Sequence, residues 1–194
     1  MKNEVKLSIL VCTVTSRVND FLPKIISKLE KQAEGKAVEI LYLGDNRKRS
    51  IGAKRNDLLL LSKGVYSCFI DDDDDISDDY VDTILNIIEN SKPSPDVIVF
   101  QAMFKDVLQG IEKPVKYSAG FLKDFEDADY FYRLPNHLTP MKMEILSKIW
   151  FKEVNYGEDF DFAKQIKPYL NTQASVSKIL YYYNYNANLS ESRE

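Results

Sequence analysis

The sequence predicts an α/β protein with a mostly parallel, Rossmann-like sheet and helices on both of its faces. Apolar runs rich in β-branched residues alternate with helical patterns through the first hundred residues, as expected of successive β-α-β units. The 194 residues are 44% hydrophobic and 29% charged, enough to bury one sizeable core. Because no repeat or low-complexity linker interrupts the chain, residues 1–194 are expected to form a single domain.

The first half of the chain is predicted to alternate four strands with three helices. The strands are expected at residues 7–14, 38–43, 65–70 and 96–103, and the helices at 20–32, 51–62 and 80–90. Pro23 suits the first turn of the first helix, Gly64 follows the second, and Ser77 is the expected N-cap before the third.

The second half is predicted to be less regular. Gln109-Gly110 indicates a hairpin turn between the strand that starts near residue 97 and a strand at 115–117. Helices are expected at 140–149, capped by Thr139, and at 158–167, and a last strand at 179–185.

Charge and composition argue against several classes of function. A net charge of −4 does not suit a general nucleic-acid binder, and no apolar stretch is long enough for a membrane span. Cys12 and Cys68 lie in apolar runs, so we expect reduced thiols in a cytoplasmic protein. With no Cys-x-x-Cys and one histidine, a Cys/His zinc site is not expected.

Five consecutive aspartates, Asp71 to Asp75, follow the predicted strand at residues 65–70. Five like charges repel one another, and their position at the end of a buried strand suits a bound cation. Carboxylate oxygens suit Mg²⁺ or Mn²⁺, which in turn suit a diphosphate. Open α/β sheets also bind ligands at the carboxyl ends of their strands. The alternative is a solvated acidic loop before a helix N-terminus.

Three further features point to the same edge of the sheet. Asp45 follows the second strand, where it either binds a base or ribose or caps a turn. Residues 47–55 carry five basic side chains at a helix start, where the helix dipole disfavours them unless a diphosphate or the acidic run compensates. Glu158 and Asp159 follow Gly157; they are either ordinary helix-start acids or include a general base.

Taken in order, these segments resemble the family 2 glycosyltransferases of the GT-A fold. The matching segments are Leu7-Ser8-Ile9-Leu10-Val11-Cys12-Thr13, Glu39-Ile40-Leu41-Tyr42-Leu43-Gly44-Asp45, Gly52-Ala53-Lys54-Arg55-Asn56, Lys63-Gly64, Phe69-Ile70-Asp71-Asp72-Asp73-Asp74 and Gly157-Glu158-Asp159. The resemblance covers residues 7–185, with 1–105 as the nucleotide-sugar half and 106–194 as the acceptor half.

The resemblance implies an inverting transferase that uses Mn²⁺ or Mg²⁺ and a nucleotide-diphosphate sugar, with a UDP-sugar expected. Asp71 and Asp73 align with the family's Asp-x-Asp pair, which binds the ion and the sugar nucleotide. Asp159 aligns with the base that deprotonates the acceptor hydroxyl, and Glu158 with a supporting residue. The nucleotide is expected to lie near Thr13, Thr15, Arg17, Asp45, Arg55, Asp71 and Asp72.

Two positions depart from the family pattern. Gly44 stands where the family often has the first of two acids, which leaves Asp45 for base recognition. The C-terminal histidine that often completes the metal site has no counterpart in residues 181–185. His137 is therefore the candidate metal ligand, with a structural histidine as the alternative.

Other functions remain open from sequence alone. A nucleotidyltransferase would share the sheet and metal, but residues 13–17 contain no glycine-rich loop. An EF-hand starting at Asp71 fails because Ile76 stands where glycine is needed. A nucleotide-sugar-binding domain that transfers nothing is a third alternative. The acceptor, a glycan or other hydroxyl compound, is not specified; the aromatic residues 125–132 either stack on a sugar or belong to the core.

Overall fold

The sheet is built around strand β1 (Leu7–Val14), whose eight residues are all buried, as expected of a central parallel strand. The computed structural model describes residues 4–186. The other strands are β2 (Val38–Asp45), β3 (Tyr66–Phe69), β4 (Asp75–Ile76), β5 (Val97–Asp106), β6 (Ile111–Tyr117), β7 (Phe125–Glu126), β8 (Phe131–Arg133), β9 (Met141–Lys142) and β10 (Gln173–Tyr185). The helices are α1 (Leu22–Ala33), α2 (Ile51–Leu61), α3 (Tyr80–Asn90), α4 (Met143–Leu146) and α5 (Glu158–Ile166), with a 3₁₀ turn at Lys167–Tyr169.

The strands follow the order β2-β1-β3-β9-β5-β6-β8-β7, and β10 pairs with β5 and β4. β1 is parallel to β2 and β3, and β10 is parallel to β5. Leu10 pairs with Phe69, the last residue of β3, so the aspartates that follow β3 lie level with the end of β1. The parallel half of the sheet therefore delivers the aspartates to the edge where the first strand ends.

Side chains of β1 alternate between two cores, one on each face of the sheet. Leu7, Ile9 and Val11 pack with residues of α1 and α3. Leu10 and Cys12 pack with residues of α2, α4 and α5. The prediction that helices cover both faces is confirmed.

The predicted helix at residues 140–149 is wrong for most of its length. Met141 and Lys142 form strand β9 between β3 and β5, where Met141 pairs with Ser67 and Val97. The helical turn is limited to Met143–Leu146. The backbone N–H and C=O groups of β3 and β5 need hydrogen-bond partners, because an unpaired polar group in a buried strand is costly. This requirement overrides the helix-start pattern of Thr139 and Pro140.

Other boundaries agree more closely. The predicted hairpin is formed by β5 and β6, which are antiparallel. Helix α5 begins directly after Gly157, whose φ of 78° is a left-handed conformation that suits glycine. Asp79, rather than Ser77, immediately precedes α3, and the last strand starts at Gln173. Within residues 4–186 the helices are too short or too polar to cross a membrane.

Candidate functional site

A cavity of about 620 Å³ opens at the edge of the sheet where β1 and β3 end. It is lined by most of the site residues predicted from sequence: Thr13, Arg17, Arg55, Asp71, Asp72, Asp73, His137, Glu158 and Asp159. Thr15 and Asp45 lie outside its lining. The structure thus brings the aspartate run and the Glu158-Asp159 pair, which are more than eighty residues apart in sequence, to one place.

Asp72 and Asp73 both face Arg17. Asp72 accepts hydrogen bonds from Thr13 Oγ1 at 2.6 Å and from Arg17 Nη1 at 2.7 Å. Asp73 Oδ2 lies 3.1 Å from the same Arg17 nitrogen. Burial, together with the charges of Asp71 and Asp72, outweighs Arg17 and raises the pKa of Asp73 to about 6. Asp73 is therefore a carboxylate whose charge the surrounding protein leaves only partly compensated.

The last two aspartates of the run have structural partners instead. Asp74 accepts hydrogen bonds from the Tyr181 hydroxyl at 2.6 Å and from the Asn184 backbone at 2.7 Å. Asp75 pairs with Lys28 at 2.9 Å. The five aspartates are thus divided, and only the first three line the cavity.

Arg55 connects the aspartate run to helix α5 from a buried position. Its guanidinium lies 3.0 Å from Asp71 Oδ1 and 3.4 Å from Glu158 Oε1. Its Cζ lies 5.5 Å from the ring centroids of both Phe69 and Phe151, which contact each other edge to face. Burial acts to raise the pKa of Asp71, but Arg55 and then His137 outweigh it and hold that pKa well below its usual range. The arginine therefore keeps Asp71 ionised and places one cation within ion-pair distance of both Asp71 and Glu158.

His137 is buried in the cavity wall beside Asp71. Its Nε2 lies 3.4 Å from Asp71 Oδ2, while its Nδ1 has no hydrogen-bond partner within residues 4–186. The His137 backbone carbonyl accepts a hydrogen bond from Phe69 N, which ties the segment to the end of β3. The ring is thus positioned by the strand that carries the aspartates.

The carboxylates fit a divalent ion that arrives with a ligand. Across residues 4–186, no three or more His, Cys, Asp or Glu side chains are already arranged around a common metal position. Asp71 and Asp73 nevertheless direct hard oxygen donors into the same cavity. Mg²⁺ is commonly held by one or two carboxylates together with phosphate oxygens and water. The donor set fits that arrangement better than a cage made of protein alone.

Helix α5 presents Glu158 and Asp159 on its first turn. Glu158 is buried against Arg55, and burial raises its pKa although Arg55 opposes the shift. Asp159 is partly exposed in the cavity, and its Oδ1 accepts a hydrogen bond from Phe160 N at 2.8 Å. The two acids therefore differ: Glu158 is fixed by an ion pair, and Asp159 faces the open space.

The Gly-x-x-x-Asn motif of α2 holds the segment that leads into α5. A Cβ on Gly52 would lie 1.8 Å from Lys152 O, so only glycine permits this approach. The Asn56 side chain donates to Phe151 O and accepts from Phe151 N, both at 2.9 Å. Ile51 N donates to Asn155 Oδ1 at 3.0 Å. This positioning role is absent from the sequence prediction, and residue spacing alone carries no signal for it.

Asp45 is the last residue of β2, and its side chain bonds to the turn that follows. Its carboxylate accepts hydrogen bonds from the backbone of Arg47 at 3.2 Å and of Arg49 at 2.9 Å, and lies 3.4 Å from Lys54 Nζ. The basic segment is also divided: Arg49 pairs with Asp57, whereas Lys54 is buried and lines the cavity. Residues 47–55 therefore do not form one phosphate-binding surface.

An aromatic wall, which we define as Phe104, Tyr117, Phe131, Tyr183 and Tyr185, lines the cavity beyond the aspartates. Burial, and then the carboxylates of Asp74, Asp71, Asp73 and Asp159, raise the pKa of Tyr183. Phe125 and Tyr132 stack on each other with centroids 4.4 Å apart, and neither lines the cavity. Of the predicted aromatic segment, only Phe131 belongs to the wall.

Comparison with known proteins supports the fold through structure rather than sequence. A scan against protein-family models finds no match, and a search of curated proteins finds none either. Solved structures do match. The structure of S. aureus TarS 1-349 in complex with UDP-GlcNAc has a TM-score of 0.68 and 16% identity, covering 97% of this chain and 61% of that one.

Two further solved structures match the same fold. TarS 1-349 in complex with UDP gives a TM-score of 0.63 at 16% identity, covering 93% of this chain and 61% of that one. A197 from STIV gives a TM-score of 0.54 at 15% identity, covering 93% of this chain and 86% of that one. The chain spans about three fifths of the TarS structures. These likenesses confirm the predicted α/β class and its glycosyltransferase-type GT-A fold.

Proposed function

We propose that the cavity binds a nucleotide-diphosphate sugar and that the protein transfers the sugar to an acceptor hydroxyl. The observation that carries the proposal is the convergence of Arg17, Arg55, Asp71–Asp73 and Glu158-Asp159 on one cavity at the carboxyl ends of parallel strands. A UDP-sugar is the donor class we favour, since the fold is similar to that of TarS in complex with UDP-GlcNAc.

On the donor side, the diphosphate would lie beside Asp71 and Asp73. These two carboxylates would hold Mn²⁺ or Mg²⁺, with His137 as a further candidate ligand. The ion would supply positive charge to the departing diphosphate. Arg17 and Arg55 would add fixed positive charge and hold the carboxylates in place. Residues 1–105 would then form the donor half and 106–194 the acceptor half.

On the acceptor side, Asp159 would act as the general base. The acceptor oxygen attacks the anomeric carbon and forms the new glycosidic bond as the bond to the diphosphate oxygen breaks. The bonding electrons leave with the nucleotide, and the acceptor proton passes to Asp159. Direct displacement inverts the anomeric configuration. Glu158, fixed by Arg55 at 3.4 Å, would hold the start of α5 in position.

Calorimetric titration of UDP tests donor and metal binding together. We expect measurable affinity with Mn²⁺ and much weaker affinity in EDTA, because Asp71 to Asp73 would repel an unaccompanied diphosphate. Asp73→Ala should lose the Mn²⁺-dependent part. Asp78→Ala is the matched control, since the Asp78 side chain is 99% exposed and lies outside the cavity lining. Equal UDP affinity with Mn²⁺ and with EDTA would refute metal dependence, and no affinity in either would refute the proposal.

A further inference from the structure

One face of the sheet carries the rings of the aromatic wall toward the cavity. Phe104 of β5 lies opposite Tyr183 of β10 in the strand register, and these rings are 5.6 Å apart between centroids. The Phe131 ring packs edge to face against Phe104 at 5.6 Å between centroids. Tyr185 shares the face because residues two apart on a strand point the same way. The result is an extended aromatic surface that lines the same cavity as Asp159.

Polar groups lie around these rings. Asp124, Asn136 and Asn184 line the cavity together with the aromatic wall. A sugar ring offers an apolar C–H face and a rim of hydroxyls. Aromatic faces pack against the C–H face, and carboxylate or amide groups hydrogen-bond the hydroxyls. The combination fits a carbohydrate better than a purely apolar ligand.

The cations nearest the wall have partners, including Arg133, which lines the cavity and whose Nε lies 3.9 Å from Asp124 Oδ2. Arg133 and Lys113 also lie over the Phe131 ring, 4.8 and 4.4 Å from its centroid. Arg133 Nη1 donates to the carbonyls of Phe125 and Tyr132 at 3.1 Å, and Lys113 Nζ donates to Asp127 O at 2.6 Å. Asp124 and Arg133 thus largely offset each other's charge within the cavity lining. The described cavity lining holds six carboxylates against four Arg or Lys side chains. A phosphate-bearing acceptor would therefore be repelled by this excess negative charge, whereas a neutral acceptor would not be repelled.

We infer that the acceptor is a neutral carbohydrate whose pyranose ring stacks on the aromatic wall with a hydroxyl directed toward Asp159. The inference rests on the proposed function, because it names the acceptor class of the same site. It also assigns Tyr183, the exposed ring of the wall, as a determinant of acceptor specificity.

The direct test is protein-observed NMR with labelled Phe and Tyr rings, carried out without nucleotide. Methyl glucoside, methyl galactoside and methyl N-acetylglucosaminide are the probes. Sorbitol, which has hydroxyls but no ring face, and glucose 6-phosphate are the controls. We expect at least one methyl glycoside to shift wall resonances in the millimolar range, with sorbitol silent and glucose 6-phosphate weaker. Equal shifts with sorbitol, tighter glucose 6-phosphate binding, or no glycoside shift up to about 100 mM would overturn the inference.

Variants locate the binding. Tyr183→Ala should weaken glycoside binding by about 2- to 10-fold, and Tyr183→Phe should retain it, since the ring supplies the contact. Tyr169→Ala is the matched control: Tyr169 is 40% exposed, close to the 37% of Tyr183, and lies outside the cavity lining. No loss in Tyr183→Ala, or the same loss in Tyr169→Ala, would contradict the assignment. Because these titrations omit nucleotide, they can fail while UDP binding succeeds, and the reverse.

Discussion

Environment, rather than residue type, separates the roles of the five aspartates. Arg55 keeps Asp71 ionised, Arg17 is shared by Asp72 and Asp73, and the Tyr181 hydroxyl donates to Asp74. Burial, then Asp71 and Asp73, raise the pKa of Asp74 well above its usual range. The sequence predicts the acidic cluster, but it does not show which aspartate has which role. The partners that decide the roles come from residues as distant as 181 and 184.

The raised pKa of Asp73 has a consequence for stability. The folded-state pKa of about 6 lies above the ordinary value of 3.8, so the folded protein binds more protons than the unfolded chain between these values. The contribution of Asp73 to folding stability is therefore fully present below about pH 4, and it is lost as the pH rises through about 6. Without metal, the free energy of unfolding of Asp73→Asn, measured by urea denaturation, should fall less than that of the wild type from pH 4.5 to 7. Identical pH dependence in the two proteins would contradict this assignment.

At the scale of elements, α2 and the segment before α5 act as one unit. Gly52 permits the contact and Asn56 fixes it through both backbone groups of Phe151. Phe151 in turn packs on Phe162 of α5, with ring centroids 4.2 Å apart. The position of Glu158 and Asp159 therefore depends on a motif that lies about one hundred residues earlier.

Asn56→Ala should destabilise the protein by about 2–4 kcal/mol, because it leaves a buried backbone N–H and C=O of Phe151 unpaired. Urea denaturation measures the change. Asn90→Ala is the control, since the Asn90 side chain is exposed and bonds only to Asn86 one turn away. If the two variants lose similar stability, the contact with Phe151 is not the anchor described here.

The elements that sequence predicts well are those with strong local periodicity. The burial of β1 and the amphipathic patterns of α1 and α3 are local properties, and these elements agree within a few residues. β9 has two residues and exists because β3 and β5 leave room for it. Strands of this kind are determined by their neighbours, so no window of sequence around residues 141–142 reveals them.

At the scale of the whole molecule, the sheet separates two cores and with them the two cysteines. Cys68 belongs to the core with α1 and α3, and Cys12 to the core with α2 and α5. Both are free, and Cys68 pairs in register with Ile9, three residues from Cys12. Opposite faces and that offset prevent a disulfide between them.

Both thiols should also be unreactive in the native protein. Burial raises the pKa of Cys12 and of Cys68 to about 12. Iodoacetamide at pH 8 should modify neither thiol in native protein and both after denaturation without reductant, as read by mass spectrometry. A disulfide in freshly purified protein, or rapid native alkylation of Cys68, would contradict the described packing.

The site is predictable from sequence where chemistry and strand ends coincide. The aspartate run after β3 follows from residue type and position, whereas the choice of Asp71, Asp73 and Asp159 within their motifs rests on the family resemblance; all three line the cavity. Lys54 and the aromatic wall do not follow, because helix burial and cross-strand register decide which side chains reach the cavity. The alternation of Tyr181, Tyr183 and Tyr185 is the one local signal that places aromatic rings on a common face.

Release of UDP from UDP-sugars tests most directly whether the protein is a transferase. Wild-type protein with Mn²⁺ should cleave at least one UDP-sugar slowly with water as acceptor, and faster with a glycoside that binds the wall. Asp159→Asn should cut that rate by roughly 10²-fold or more while UDP affinity stays close to the wild-type value. Asp161→Asn, whose carboxylate pairs with Lys152 outside the cavity lining, should retain the rate. No release from any UDP-sugar despite UDP binding would leave a binding domain without transferase activity, and an unchanged rate in Asp159→Asn would contradict the assigned base.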